Sequence, residues 1–219
     1  MTRGRSLGVA VVAAAVAVGA ALACTGIQDP QIGIVAPPYS DESFTPVANY
    51  LGQRCGTLDC HGQPGRNLRV WSCTGMRLDS ESTPASCAEP TTEDEYQATY
   101  RSLVGLEPQV MTTVYTGCEV TDGAAATYPP GGSCHPELLT FIRKARGTEA
   151  HKGGQLICVE PPCPDGIPPQ VPLEGDAGPL VDLQDVCLVS WLEGATDTAA
   201  CQTAVTYPIF PDIDAGVSP

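Results

Sequence analysis

The residues of this chain best suited to chemistry lie in one short run, Arg54-Cys55-Gly56-Thr57-Leu58-Asp59-Cys60-His61-Gly62. Two cysteines followed at once by a histidine can hold a c-type haem. The thiols add to the two vinyl groups of the porphyrin, and the imidazole, here that of His61, takes an axial position on iron. The usual spacing puts two residues between the cysteines, whereas four separate Cys55 from Cys60. Residues three apart share a helical face, but residues five apart are rotated by about 140° from each other. Cys55 and Cys60 therefore meet one porphyrin, or each other, only if the chain between them leaves helical geometry. Gly56, which has no Cβ, permits that. The other fate open to the pair is a local disulfide, which makes the same demand because its Cα atoms must lie within about 7 Å.

The start of the chain reads as an export leader over residues 1–23. Arg3 and Arg5 form a short positive region, and an apolar stretch dense in Val and Ala follows over residues 7–23. That stretch is too short and too weakly flanked for a membrane span. It ends in Ala21-Leu22-Ala23-Cys24, which resembles the lipobox of bacterial lipoproteins, although the first box position is usually Leu and here is Ala21. In such proteins the cysteine takes a fatty-acyl anchor of the palmitate kind and becomes the new N-terminus. An ordinary signal peptidase would cut at the same bond. Cysteine parity favours the lipid, because the chain has 11 Cys and committing Cys24 to an anchor leaves an even number. The expected location is the cell envelope, on the periplasmic or outer-surface side of a bacterial membrane. In that oxidising compartment disulfides are the default fate of the remaining thiols.

The whole chain carries 11 basic against 25 acidic residues, and loss of Arg3 and Arg5 with the leader makes it more acidic still. No basic patch is available to hold nucleic acid, and an acidic surface suits solubility or a basic redox partner. The 21 Pro and 23 Gly are spread through the chain, so one modest, loop-rich domain is expected.

Four helices should position the chemistry. Residues 24–43, with Pro30, Pro37 and Pro38, read as a tether. The first helix is expected from Pro46 to about Arg54, capped by Thr45, with Val47, Tyr50 and Leu51 on one face leading into the Cys-His run. The second opens on the capping box Thr92-x-x-Glu95 and carries Tyr96, Tyr100, Leu103 and Val104 up to Gly105. Its first-turn carboxylates, Glu93, Asp94 and Glu95, suit a helix N-terminus and need no catalytic role. The third opens at Pro136, with His135 as its cap, and buries Leu138, Leu139 and Ile142. Arg143, Lys144 and Arg146 face its negative end before Gly147. The fourth follows Pro179, with Leu180, Leu183, Cys187, Leu188, Trp191 and Leu192 inward, and ends at Gly194. No internal repeat and no alternating strand pattern is evident.

Several separated segments together resemble the bacterial cytochrome c-like domains found on exported proteins. The matching pieces are Cys60-His61-Gly62, the LRLD-like Met76-Arg77-Leu78-Asp79, the helical run over residues 138–147, His151-Lys152-Gly153-Gly154, and Trp191-Leu192-Glu193-Gly194-Ala195. They span residues 44–195, with residues 196–219 as a C-terminal extension. The resemblance implies an all-α, cytochrome c-like fold with long disulfide-stapled loops, and haem c held by Cys55, Cys60 and His61. His151, in the H-x-GG segment, is implied as the sixth ligand, its two glycines allowing backbone to approach a flat cofactor. The chain departs from the family in the Cys55–Cys60 spacing and in a longer stretch between His151 and Trp191, which contains Cys158 and Cys163.

Among other side chains, Met111 could supply an axial thioether and raise the reduction potential relative to a second His. Ordinary core placement is its simpler reading. Met76 fits less well. Cys60, His61, Cys134 and His135 could assemble a Cys2His2 zinc site, but neither pair has zinc-finger spacing. No GxSxG, HExxH or phosphate-binding loop occurs. Short loop closure pairs Cys73 with Cys87, Cys118 with Cys134, Cys158 with Cys163 and Cys187 with Cys201. Two functions stand at this point. One is a lipid-anchored haem electron carrier that meets a redox protein. The other is a haem-free, disulfide-rich surface lipoprotein with a binding or structural role. An enzyme is the less favoured class.

Overall fold

The computed structural model describes residues 33–79, 87, 89–118, 134–159, 171–172 and 180–206. The leader, Cys24, the first part of the tether, Cys163 and residues 207–219 lie outside the described residues. From Ile34 onward the chain forms one compact unit. Its α-helices are α1 (Thr45–Arg54), α2 (Glu93–Val104), α3 (Pro108–Cys118), α4 (Thr140–Ala145), α5 (Leu183–Leu192) and α6 (Thr198–Thr206). A 3₁₀ turn covers Pro136–Leu138, and β1 (Val171–Pro172) pairs antiparallel with β2 (Leu180–Val181). The expected helical class holds, with that one short pair added. Among the described residues no helix is long and apolar enough to cross a membrane.

The α1 helix starts one residue earlier than the Pro46 signal suggests. Phe44, not Thr45, occupies its N-cap and offers no side-chain cap. Hydrophobic anchoring takes the place of a polar cap. Phe44 is fully buried and its ring meets Trp191 at 5.4 Å and Tyr100 at 5.2 Å, so α1, α2 and α5 converge on one aromatic cluster.

Packing extends past both ends of residues 44–195. Tyr39 meets Tyr100 at 5.4 Å, and the Tyr100 hydroxyl donates to the Pro37 carbonyl. At the other end the Arg54 guanidinium donates to the Ala204 carbonyl on α6, and Cys201 is bonded to Cys187.

The α2 capping box forms with both halves present: the Glu95 N–H donates to Thr92 and the Thr92 N–H to the Glu95 carboxylate. Glu95 is also buried and clamps the LRLD-like segment. It accepts from Arg77 Nε at 2.7 Å and from the Leu78 N–H at 3.0 Å. Burial alone would push this carboxyl up, but Arg77 and the N–H donors outweigh it and hold the group below its usual value. A depressed carboxyl contributes stability above its unfolded pKa and loses it as pH falls through the folded one. Urea stability should therefore decline from about pH 4.3 downward. Glu95→Gln should lower stability at neutral pH and flatten that acid decline; parallel pH profiles for the two proteins would contradict this.

Two expectations shift around α4. Leu138 is exposed, because the 3₁₀ turn ends at an extended Leu139 and resets the periodicity before Thr140. Arg146, expected at the helix dipole, is buried and pairs through two bonds of 2.7 and 2.8 Å with Asp185 on α5. His135 is the N-cap of the 3₁₀ turn through its carbonyl, which accepts the Leu138 N–H, but its exposed side chain makes no cap bond and its Nδ1 lies 2.8 Å from Glu137. The α5 helix begins at Leu183 and not Leu180, because Asp182 accepts the Gln184 N–H and caps it there.

Three expected disulfides are present: Cys73–Cys87, Cys118–Cys134 and Cys187–Cys201. Cys158 is also disulfide-bonded, and its expected partner Cys163 lies outside the described residues.

Candidate functional site

Helical bonding runs past the end of α1 through Cys55, whose N–H donates to the Leu51 carbonyl, and Gly56, whose N–H donates to that of Gly52. The chain then turns sharply. The Cys60 and Gly62 N–H groups both donate to the Thr57 carbonyl, and the His61 N–H donates to the Cys55 carbonyl at 2.8 Å. The four residues between the cysteines are thus looped out, and His61 is brought back against Cys55. Gly56 does not take a left-handed conformation, so its backbone freedom is not what breaks the helix. Bare backbone is what matters here. A Cβ at Gly62 would lie 1.9 Å from the Gly56 carbonyl oxygen, and one at Gly75 only 1.7 Å from it. Three segments meet at that oxygen, and only glycine fits at two of them.

The His61 ring is oriented by a hydrogen bond of 3.0 Å between Nδ1 and the Leu68 carbonyl. Its backbone is fixed as well, since the Val70 N–H donates to the His61 carbonyl. Burial lowers the affinity of this ring for a proton, and His151 and Arg66 lower it further against the opposing Leu68 bond. This favours the neutral ring, the form in which imidazole ligates metals.

His151 lies ninety positions later in the sequence, after α4. Its ring centroid is 5.9 Å from that of His61, and the ring planes differ by 19°. The H-x-GG glycines serve this histidine directly. The Gly154 N–H donates to the His151 carbonyl and Gly154 takes φ +75°, closing a turn in which His151 Nδ1 lies 3.3 Å from the Gly154 carbonyl. A Cβ at Gly153 would sit 2.9 Å from the His151 ring. Both imidazoles thus engage Nδ1 with a carbonyl and keep Nε2 for another partner, the arrangement typical of metal-ligating histidines.

Cys55 and Cys60 are the free cysteines among the described residues, both half-buried. Desolvation pushes the Cys55 thiol up to about 12, with a further rise from Cys60 and a smaller opposing pull from Arg54. A thiol held protonated in this way is a poor thiolate ligand and slow in disulfide exchange. The zinc reading fails on a different count. Cys134 is bonded to Cys118, and no group of three or more metal-binding side chains occurs among the described residues. Met111 is buried in the core on α3, which explains it without a ligand role. Met76 bridges to Trp71.

These residues fit haem better than a bare ion. Two imidazoles leave four positions on iron, which a porphyrin fills, and two unoxidised thiols lie in the same loop as one of the imidazoles. A separate cleft of about 380 Å³, lined by Asn49, Gln53, Ser72, Thr74 and Gln202 among others, includes none of the four residues.

Compared with known proteins, the chain matches no protein-family model, no curated protein and no solved structure.

Proposed function

We propose that this chain is a membrane-anchored, c-type cytochrome-like lipoprotein that carries electrons. The observation that supports it most is the approach of His61 and His151 to 5.9 Å, each with Nδ1 engaged by a carbonyl, beside two unpaired thiols where the other cysteines among the described residues are disulfide-bonded. Cys55 and Cys60 would hold the porphyrin through thioethers, and His61 and His151 would ligate its iron. When bound, haem supplies a one-electron couple at its iron. The chain's own residues orient both rings, favour neutral His61 and loop residues 56–59 out of the way. The cytochrome c-like fold belongs to this reading, with α1 delivering the attachment loop and α5 packed against it. Produced with c-type maturation, the protein should show a Soret band, and His151→Ala should shift that band without releasing the porphyrin. An unchanged spectrum would remove His151 from the iron.

Cys24 is proposed as the lipid attachment point, on the leader pattern and cysteine parity. The mature protein should partition into detergent phase, and Cys24→Ser should abolish this. Recovery of the parent protein in the aqueous phase would rule the anchor out.

One observation favours the haem-free alternative: three disulfides fix the scaffold without help from a cofactor. Its signature would be colourless protein with a Cys55–Cys60 disulfide.

A further inference from the structure

Acidic as the chain is, its fold gathers three arginines that are dispersed in sequence. Arg66 and Arg69 follow the Cys-His loop, and Arg101 lies on α2. Together with Asn67 and Ser102 they line a surface groove of about 680 Å³ that no Asp or Glu lines. None of the three forms an ion pair with a carboxylate among the described residues, whereas Arg77, Arg143, Lys144 and Arg146 all do.

The guanidinium groups are held by neutral acceptors. Arg66 donates to the carbonyls of Cys60 (2.9 Å) and Asp59 (3.3 Å), and Arg69 donates to the Arg66 carbonyl. Arg101 donates to the Gln97 side chain at 3.0 Å. The Arg69 backbone is pinned too, since its N–H donates to the Ser102 hydroxyl at 2.8 Å. Each guanidinium has five N–H donors and spends one or two on these contacts, so most remain available in a fixed fork geometry that matches an oxyanion. Leaving three like charges together without a counterion is unfavourable in an apo groove, and a multivalent anion relieves it.

We propose that this groove is a binding site for a multiply charged oxyanion of the phosphate class, recognised by Arg66, Arg69 and Arg101. The proposal does not depend on bound haem. The same chemistry could come from a free phosphate compound or from a phospholipid headgroup.

Titration of the purified mature protein with inorganic pyrophosphate, followed by calorimetry at low and then moderate salt, tests it. Saturable binding is expected, and the double variant Arg69→Gln/Arg101→Gln should weaken it by at least about tenfold. Both side chains are exposed, so the fold should survive, checked by far-ultraviolet circular dichroism. A Lys144→Gln/Lys152→Gln variant removes the same net charge from residues that do not line the groove and should retain binding. A parallel arm uses the Cys24→Ser protein, which has no anchor, with vesicles of phosphatidylcholine and phosphatidylglycerol. Arginine-dependent binding to vesicles but not to pyrophosphate would assign the headgroup as the source. Absence of binding in both arms, or equal losses in the two double variants, would overturn the site.

Discussion

Asp185→Ala should destabilise the protein by about 3–5 kcal/mol, the cost of removing one member of a buried ion pair. Arg146 and Asp185 are both buried and joined by two hydrogen bonds, so little water can replace the lost carboxylate. The effect should reach the candidate site. Arg146 closes α4 immediately before the segment that carries His151, and two N–H groups just beyond that segment, on Leu156 and Ile157, donate to the Ala145 carbonyl. Gln184 on α5 also donates to the Leu156 carbonyl. Losing the pair should therefore loosen His151 along with the α4–α5 contact. Urea denaturation gives the stability change, and the Arg146→Met/Asp185→Leu double variant should recover much of it, because replacing both partners leaves no buried charge. A loss below about 1 kcal/mol in the single variant would place the pair among ordinary exposed ion pairs.

The second large effect concerns His61. Expressed with c-type maturation, the parent protein should carry haem that survives denaturing electrophoresis, and His61→Ala should lose proper ligation altogether. His61 is the more firmly held of the two imidazoles: its ring is oriented by Leu68 and its backbone by Cys55 and Val70, whereas the His151 ring has the longer bond to Gly154. Wild-type ligation spectra in the His61→Ala protein would mean that another side chain takes that position.

Much of the helical framework was legible in the sequence. The Thr92–Glu95 capping box and the Tyr50-Leu51 face were visible because caps and periodicity are local signals. The α3 helix was missed because PQVMTTVYTGC is rich in β-branched residues of modest helix propensity. Thr112, Thr113 and Thr116 turn their hydroxyls back to carbonyls of the preceding turn. Met111, Val114, Tyr115 and Cys118 nevertheless recur at helical spacing, and that stripe could have found it. The α6 helix falls in residues that read as a C-terminal extension, though the Asp197 carboxylate accepts the Ala200 N–H as a cap would. The second role of Glu95, the burial of Arg146 and the three-glycine junction at the Gly56 carbonyl depend on contacts between distant segments, and no local pattern announces them. The same holds for the oxyanion groove, whose arginines are brought together only by the packing of the Cys-His loop on α2.

At the candidate site, the fold brings together His61 and His151, both named from the sequence, through packing that no local pattern announces. The looped-out insertion was required by helix geometry and is present, yet the role given to Gly56 belongs to close packing with Gly62 and Gly75. The H-x-GG glycines shape the turn and the ring position of His151 itself.

Covalent haem on Cys55 and Cys60 should be read by peptide mapping with mass spectrometry on protein matured in a host with c-type attachment. One peptide spanning both cysteines, heavier by one haem, is expected, with neither sulfur open to alkylation. The same peptide recovered without haem, its sulfurs joined in a Cys55–Cys60 disulfide, would contradict it.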